Sequence, residues 1–308
     1  FFCFLFFRLP RPPPEPSLWR SSAGSHGYKR QAIRHSDAVI LTGPGMLDDV
    51  RRMAPGTPVH AISDVPSSSA EADATGAAIA RHELAPAADD LLATYIGSFA
   101  SYQGIDLLFR AIPASLQACP RLRFVIVGGS EAEIRCRRDE MTACGVADRV
   151  RFLGMISPEE VPNLLRASDI LLSPRLSGKN TPLKLLDYLK SGRAVVATDT
   201  PANRLILSDE TARFAAPDPD AFARALADLA GDTDLRERLG CAGRALAFGA
   251  LHARGGKKGL HIVGRRLKAQ RRVGQLDRVF DLDQHQGAVR RHAWLARESG
   301  IVDVSYTQ

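Results

Sequence analysis

Asp169-Ile-Leu-Leu-Ser-Pro-Arg-Leu-Ser-Gly-Lys-Asn-Thr-Pro-Leu-Lys-Leu-Leu-Asp-Tyr-Leu-Lys-Ser-Gly-Arg-Ala-Val-Val-Ala-Thr198 reads as one β–α–β unit. Asp169–Ser173 and Ala194–Thr198 are short apolar runs, too short for helices and without alternation. Such strands belong to a parallel sheet buried on both faces. Between them, Thr181 suits an N-cap and Pro182 the first helical position, which predicts a helix from Pro182 to Lys190. The N–H groups of Leu183, Lys184 and Leu185 would then face the mouth of the sheet, where a diphosphate is the obvious occupant. Lys179 and Lys184 could add charge, and Asp187, one turn in, could accept hydrogen bonds from ribose hydroxyls. An ordinary capped helix with solvated lysines accounts for the same residues, and the spacing alone leaves both open.

The same rhythm extends upstream and downstream. Leu92–Ile96, Arg123–Val127 and Val150–Leu153 read as buried strands, ending near Gly97, Gly128-Gly129 and Gly154. Gly104–Ala118 carries Ile105, Leu108, Ile112 and Leu116 at helical spacing. Glu131–Cys144 reads as a polar helix, and Ala221–Ala230 and Asp232–Phe248 as amphipathic ones. Ser157-Pro-Glu-Glu160 matches a capping box for a helix running to about Ala167. Ligands of such sheets bind at the carboxyl ends of the strands. Earlier in the chain, Ala38–Thr42, Met46–Met53 and Val59–Ile62 look like a closing β–α–β piece, with Gly43-Pro44-Gly45 as its turn. Pro44 lacks the N–H that a pyrophosphate would want there. Ser67–Ala88 is small and polar and reads as a linker.

These runs predict an α/β chain. Residues 1–27 form a disordered or non-native leader, 28–66 a remnant of an N-terminal domain, 67–90 a linker, 91–248 the main domain, and 249–308 a basic, partly helical tail. The first residue is Phe1 rather than Met, which suggests either a natural start further upstream or a misassigned reading frame. Phe1–Phe7 is apolar but too short to span a bilayer, and no other run is long enough.

Composition narrows the function. The 308 residues are 45% hydrophobic and 24% charged, ordinary for a globular protein. The net charge of +7 resides in the tail: Gly249–Gln308 holds 12 Lys/Arg and 5 Asp/Glu, and the remainder balances. The tail reads mainly as a solvated extension. Contact with an anionic membrane surface is a second reading, and nucleic acid is not expected as a partner. Five scattered cysteines form no C-x-x-C pair and suggest a reducing, cytoplasmic setting. No Ser/His/Asp arrangement and no metal-ligand spacing is present, and neither metal nor cofactor is expected. Asp48-Asp49 and Glu159-Glu160 suit first helical turns. His35 and His60 read as surface or edge residues.

Residues from about 92 to 247 resemble the C-terminal, donor-binding half of a retaining GT-B glycosyltransferase of family 4. The resemblance rests on Tyr95-Ile-Gly-Ser-Phe-Ala-Ser-Tyr-Gln-Gly-Ile-Asp-Leu-Leu108, Phe124-Val-Ile-Val-Gly-Gly129, Val150-Arg-Phe-Leu-Gly154, Ser168–Pro174 and Asn180–Thr198. Residues 28–66 are similar to the end of that family's N-terminal domain, most of which has no counterpart here. The resemblance implies a GT-B-like fold with one complete Rossmann-like parallel-sheet domain, helices on both faces, and a truncated N-terminal Rossmann-like domain.

It also implies a hexosyltransferase-type enzyme of polysaccharide biosynthesis. Such an enzyme moves a sugar from a nucleotide diphosphate sugar to a glycan or lipid-linked acceptor with retention of configuration. Its expected place is the cytoplasm, or the periphery of the inner membrane face. Gly97, Ser98 and Gly128 would allow close backbone approach. Thr181, Pro182, Leu183 and Lys184 would hold the diphosphate, Asp187 the ribose, and Gly154 with Met155 the base. Lys179 and Asn180 would lie by the phosphates or sugar. Lys179 and Asp187 stand where the family has two Glu separated by seven residues, while Ser98 and Gln103 stand where it often has Arg and Lys. Arg175 is a further candidate to replace those cations. The resemblance names no catalytic residue. The alternative is a non-catalytic nucleotide-binding remnant or partner subunit.

Overall fold

A computed structural model describes residues 4–7, 33–34, 36, 38–42, 45–62, 71–178 and 181–253. The chain divides into two compact units, Phe1–Asp64 with Arg254–Gln308, and Val65–Ala253. Residues 8–27, the Gly43-Pro44 turn, His35, the tail beyond Ala253, Lys179 and Asn180 lie outside the described residues.

In the first unit, β1 (Phe4–Phe7) runs antiparallel to β2 (Ala38–Thr42), which is parallel to β3 (Val59–Ile62). Helix α1 (Leu47–Met53) connects β2 and β3, and Val50 packs with Ile33, Val39 and Leu41. Asp48 and Asp49 occupy the first turn of α1, as expected. Within the stretch expected as a disordered or non-native leader, Phe4–Phe7 forms a strand: a run of β-favouring residues completes its backbone hydrogen bonds on β2. His60 is half-buried on β3, at the edge of this sheet.

The second unit holds a six-stranded sheet in the order β6-β5-β4-β7-β8-β9, parallel throughout. Its strands are β4 (Leu91–Ile96), β5 (Leu122–Val127), β6 (Val150–Gly154), β7 (Ile170–Ser173), β8 (Ala194–Thr198) and β9 (Arg213–Ala215). The helices are α2 (Ala74–Leu84), α3 (Ile105–Ala118), α4 (Glu131–Ala143), α5 (Val161–Ala167), α6 (Lys184–Ser191), α7 (Pro201–Arg204), α8 (Pro219–Gly231) and α9 (Thr233–Ala253).

Alternate strand residues face opposite layers, which explains why these strands read as unbroken apolar runs. Leu91, Ala93 and Tyr95 of β4, with Ile170 and Leu172 of β7, pack against α3 and α8. On the other face, Leu171 of β7 and Val195 of β8 pack with α5, α6 and α9, while Leu92 of β4 packs with α2 and α5. The order places β4 and β7 side by side at the centre, with β5 and β6 on one flank and β8 and β9 on the other. The chain reverses its direction of winding there, where such sheets open a crevice.

Local signals read partly differently from the sequence expectation. The stretch expected as linker contains α2, whose alanines are strong helix formers. Asp73 caps it by accepting from the Gly76 N–H at 2.6 Å, and Arg81 bonds Asp169 and the Asp90 carbonyl. The complete capping box is at Ser130–Glu133, ahead of α4. At Ser157–Glu160 only a turn forms: the Glu160 carboxylate accepts from the Ser157 N–H at 2.9 Å, and α5 begins at Val161. Helix α6 likewise begins later than Thr181 and Pro182 suggested; Leu183 is its N-cap.

Candidate functional site

The carboxyl ends of β4, β5, β7 and β8 converge on a mouth built by backbone contact. Gly128, at φ 111°, lies so near Gly97 that a Cβ would sit 2.0 Å from the Gly97 carbonyl oxygen. Gly104, at φ 73°, would place a Cβ 1.8 Å from the Pro174 carbonyl oxygen. The Leu176 N–H donates to the Tyr102 carbonyl at 3.0 Å, tying the β7 loop to the β4 loop. Gly128 donates its N–H to the Gly154 carbonyl at 2.7 Å, so that carbonyl is already engaged.

A buried polar network fixes the β7 loop from below. Thr198 and Thr200 both donate hydroxyls to the Arg175 carbonyl. Asn203 donates to the Thr198 carbonyl at 2.9 Å and to the Ser173 carbonyl at 3.3 Å. Ser173 donates back to Asn203 Oδ1 at 3.1 Å. Ser173, Thr198 and Asn203 are fully buried, where an unmade hydrogen bond is costly.

On this frame sit two cations. The Arg175 side chain is 2% exposed; its Nε donates to the Ser177 carbonyl at 2.8 Å, and its guanidinium lies over the Tyr102 ring. Burial holds it below the ordinary arginine range. Lys184 extends from the first turn of α6 until its Nζ stands 4.5 Å from the Tyr95 ring centroid and 3.5 Å from Gln103 Oε1. Burial, and then the charge on Arg175, bring its pKa down to about 7. Among the described residues no carboxylate pairs with Lys184. The Tyr95 hydroxyl donates to the Ser98 carbonyl at 2.8 Å, and the Tyr188 hydroxyl accepts from the Ile96 N–H at 3.1 Å. Burial raises both tyrosines, so both rings remain neutral.

Among the sequence-based candidates, Gly97, Ser98, Gln103, Gly128 and Lys184 come together here. The N–H groups of Leu183 and Lys184 have no acceptor among the described residues. The Leu185 N–H does not point outward as expected: it closes a turn onto the Pro182 carbonyl at 2.9 Å, because the helix starts late. Thr181 does not cap; among the described residues its enclosed Oγ1 has no hydrogen-bond partner. A buried hydroxyl of this kind is suited to receive a ligand or water. Pro182 is buried and Leu183 exposed. Met155 is 84% exposed at the end of β6.

Asp187 lines a different cleft, together with Glu71, Val161 and Lys190. It lies three residues beyond Lys184 on α6, one helical turn along the same stretch of helix surface. Sequence reasoning overlooked Tyr95, Tyr102, Tyr188 and Asn203. Polar side chains set in apolar strands and helices were the available signal, since buried hydroxyls and amides need fixed partners. The mouth thus offers positive charge beside the start of a helix, a set suited to an anion with several oxygens.

Residues 90–232 match the family model described as glycosyl transferases group 1. A phosphatidyl-myo-inositol mannosyltransferase of Mycolicibacterium smegmatis is 31% identical over 137 residues, covering 44% of this chain and 34% of that protein. The chain spans little more than a third of the length of the first curated relatives it matches, at 34%, 37% and 38%. Among solved structures, a sucrose-phosphate synthase from Thermosynechococcus elongatus superposes with a TM-score of 0.67 at 21% identity, covering 84% of this chain and 65% of that one. HepE of Anabaena, in complex with UDP-glucose, gives 0.63 at 16% identity, covering 74% and 63%. These likenesses show the fold: an α/β architecture shared with GT-B glycosyltransferases.

Proposed function

We propose that the Val65–Ala253 unit binds the diphosphate of a nucleotide-activated sugar, as the donor half of a glycosyltransferase. The observation that carries this is Lys184. Its ammonium is partly buried at the mouth of a parallel sheet, over the Tyr95 ring and within reach of the Arg175 charge. A cation held there with no paired carboxylate among the described residues is a poor structural element and a good diphosphate ligand. The match to the group 1 family model and the fold shared with a UDP-glucose complex support the same reading.

In the reaction, the bond between the anomeric carbon and the diphosphate oxygen breaks, and an acceptor hydroxyl forms the new bond and loses its proton. Lys184, Arg175 and the Leu183 and Lys184 N–H groups neutralise charge growing on the leaving diphosphate. Retention of configuration, a hexose donor and a glycan or lipid-linked acceptor, handled at the cytoplasmic face, complete the proposal. Ser98 and Gln103 leave the β4 loop without a charged side chain, so the β7–α6 segment supplies the cations. Lys179 and Asn180 adjoin that segment in sequence. Metal is not required in this scheme.

Titration calorimetry with UDP, GDP and ADP tests the site. One nucleoside diphosphate should bind, and Lys184→Met should weaken it roughly 100-fold, the loss of about one charge-assisted contact pair. Unchanged affinity in Lys184→Met would overturn the assignment. Release of nucleoside diphosphate from a matching sugar donor, with an acceptor present, tests turnover.

A further inference from the structure

The far side of α6 carries a second feature. Between α5, α6 and α9 lies a cleft of about 300 Å³ within the Val65–Ala253 unit. Arg166, Lys190, Arg193 and Arg244 line it, against Glu71 and Asp187. Lys190 pairs with Glu71 at 3.4 Å. Arg193 donates to the Arg166 carbonyl and is buried enough to be held below the ordinary arginine range, with the charges of Arg166 and Arg81 adding to that against Asp169. Among the described residues, neither Arg166 nor Arg244 meets a carboxylate, although Arg244 lies over the Phe248 ring. Both are exposed. A half-open cleft with surplus guanidinium groups has the chemistry of a phosphate site, because guanidinium forks match phosphate oxygens. Its size suits a ligand of sugar-phosphate dimensions and falls at the lower end of small-molecule pockets.

We propose that this cleft is a second anion site, taking a phosphomonoester through Arg166 and Arg244, separate from the mouth at Lys184. The basic tail of this chain does not complement it in charge. Occupancy would bridge α5, α6 and α9, and so brace the helix whose first turn carries Lys184.

Cys241 lines the cleft and is exposed, which supplies a local reporter. The full chain is alkylated with iodoacetamide and each cysteine followed by mass spectrometry. Glucose 6-phosphate provides one arm, and phosphatidylcholine vesicles with or without phosphatidic acid provide the other. Either phosphomonoester should slow Cys241 labelling about tenfold at ten times its Kd, leaving the exposed Cys136 and Cys144 unchanged. Protection in the first arm identifies a free metabolite, and in the second a lipid headgroup. Arg166→Gln with Arg244→Gln should abolish protection. Both positions are exposed, so folding should survive, which an unchanged melting profile verifies. Lys184→Met should retain protection. No protection in either arm, protection that persists in the double variant, or protection lost with Lys184→Met would overturn the proposal. UDP binding is measured in parallel, so failure of this cleft and failure of the nucleotide site remain distinguishable.

Discussion

The two ends of α6 use cations in opposite ways. At its first turn, Lys184 is taken from water, laid on the Tyr95 ring and placed beside Arg175. Towards its far end, Lys190 stays near Glu71, and Arg166 and Arg244 remain at the surface. The first arrangement costs desolvation and like-charge repulsion before any ligand arrives. The second costs little, since exposed charges are screened and solvated. Electrostatic preorganisation of the first kind suits a developing charge, whereas the second suits reversible capture. The mouth also depends on backbone geometry, while the cleft depends on side chains alone. Each variant below should therefore move one end and spare the other.

The largest separation is expected from Gly104→Ala. A Cβ there meets the Pro174 carbonyl oxygen at 1.8 Å, at a φ of 73° that disfavours side chains. The loops after β4 and β7 must part, which should cost about 2–4 kcal/mol in chemical denaturation, combining left-handed strain and a backbone clash. Nucleoside diphosphate binding should fall with it, and Cys241 labelling of the folded protein should not change. A stable variant with full nucleotide affinity would show that the mouth is not held by this contact.

Asn203→Ala should act more gently. It removes the donor to the Ser173 and Thr198 carbonyls and leaves the Ser173 hydroxyl unpaired. The expected loss is about 1–3 kcal/mol of stability. Nucleotide affinity should weaken further than stability alone explains, because the Arg175 carbonyl is fixed through Thr198. Equal affinity in variant and parent, measured well below the melting transition, would make this network purely structural.

Much of this contrast was visible in the sequence, and the reasons for the rest are physical. Unbroken apolar runs at Leu92–Ile96, Ile170–Ser173 and Ala194–Thr198 gave the parallel sheet, because burial on both faces leaves no alternation to misread. Gly97, Gly128 and Lys184 were found from their place at strand ends and a helix start. Asp187 lines the cleft beside Glu71 and Lys190, one helical turn beyond Lys184, a placement set by neighbouring helices that the sequence alone does not reveal. Asn203 went unnoticed because its partners are carbonyls of Ser173 and Thr198, one of them thirty residues away, and backbone groups leave no trace in composition. Residues 74–84 read as linker because alanine serves loops and helices alike. Only the tertiary anchors Arg81–Asp169 and Asp73–Asn163 decide between them.

The smallest effect should be the pH dependence of the mouth, and its sign distinguishes the two ends. Lys184 titrates near 7 without ligand, and a bound diphosphate would raise that value. Nucleotide affinity should then be flat below about pH 7 and fall above it, by up to tenfold per pH unit, until the liganded pKa is reached. Calorimetry at pH 8 in buffers of different ionisation enthalpy should show proton uptake on binding, and none in Lys184→Met. The stability of the unliganded protein should move the other way. A lysine lowered by folding is charged more readily in the unfolded chain, so this group's contribution improves as pH rises from about 7 towards the ordinary lysine value. The proposed cleft does not include Lys184, so protection of Cys241 by a fully ionised phosphomonoester should not follow the same curve. A shared pH profile would mean that both ends of α6 answer to Lys184, and the division between a desolvated cation and a solvated cluster of cations would fail.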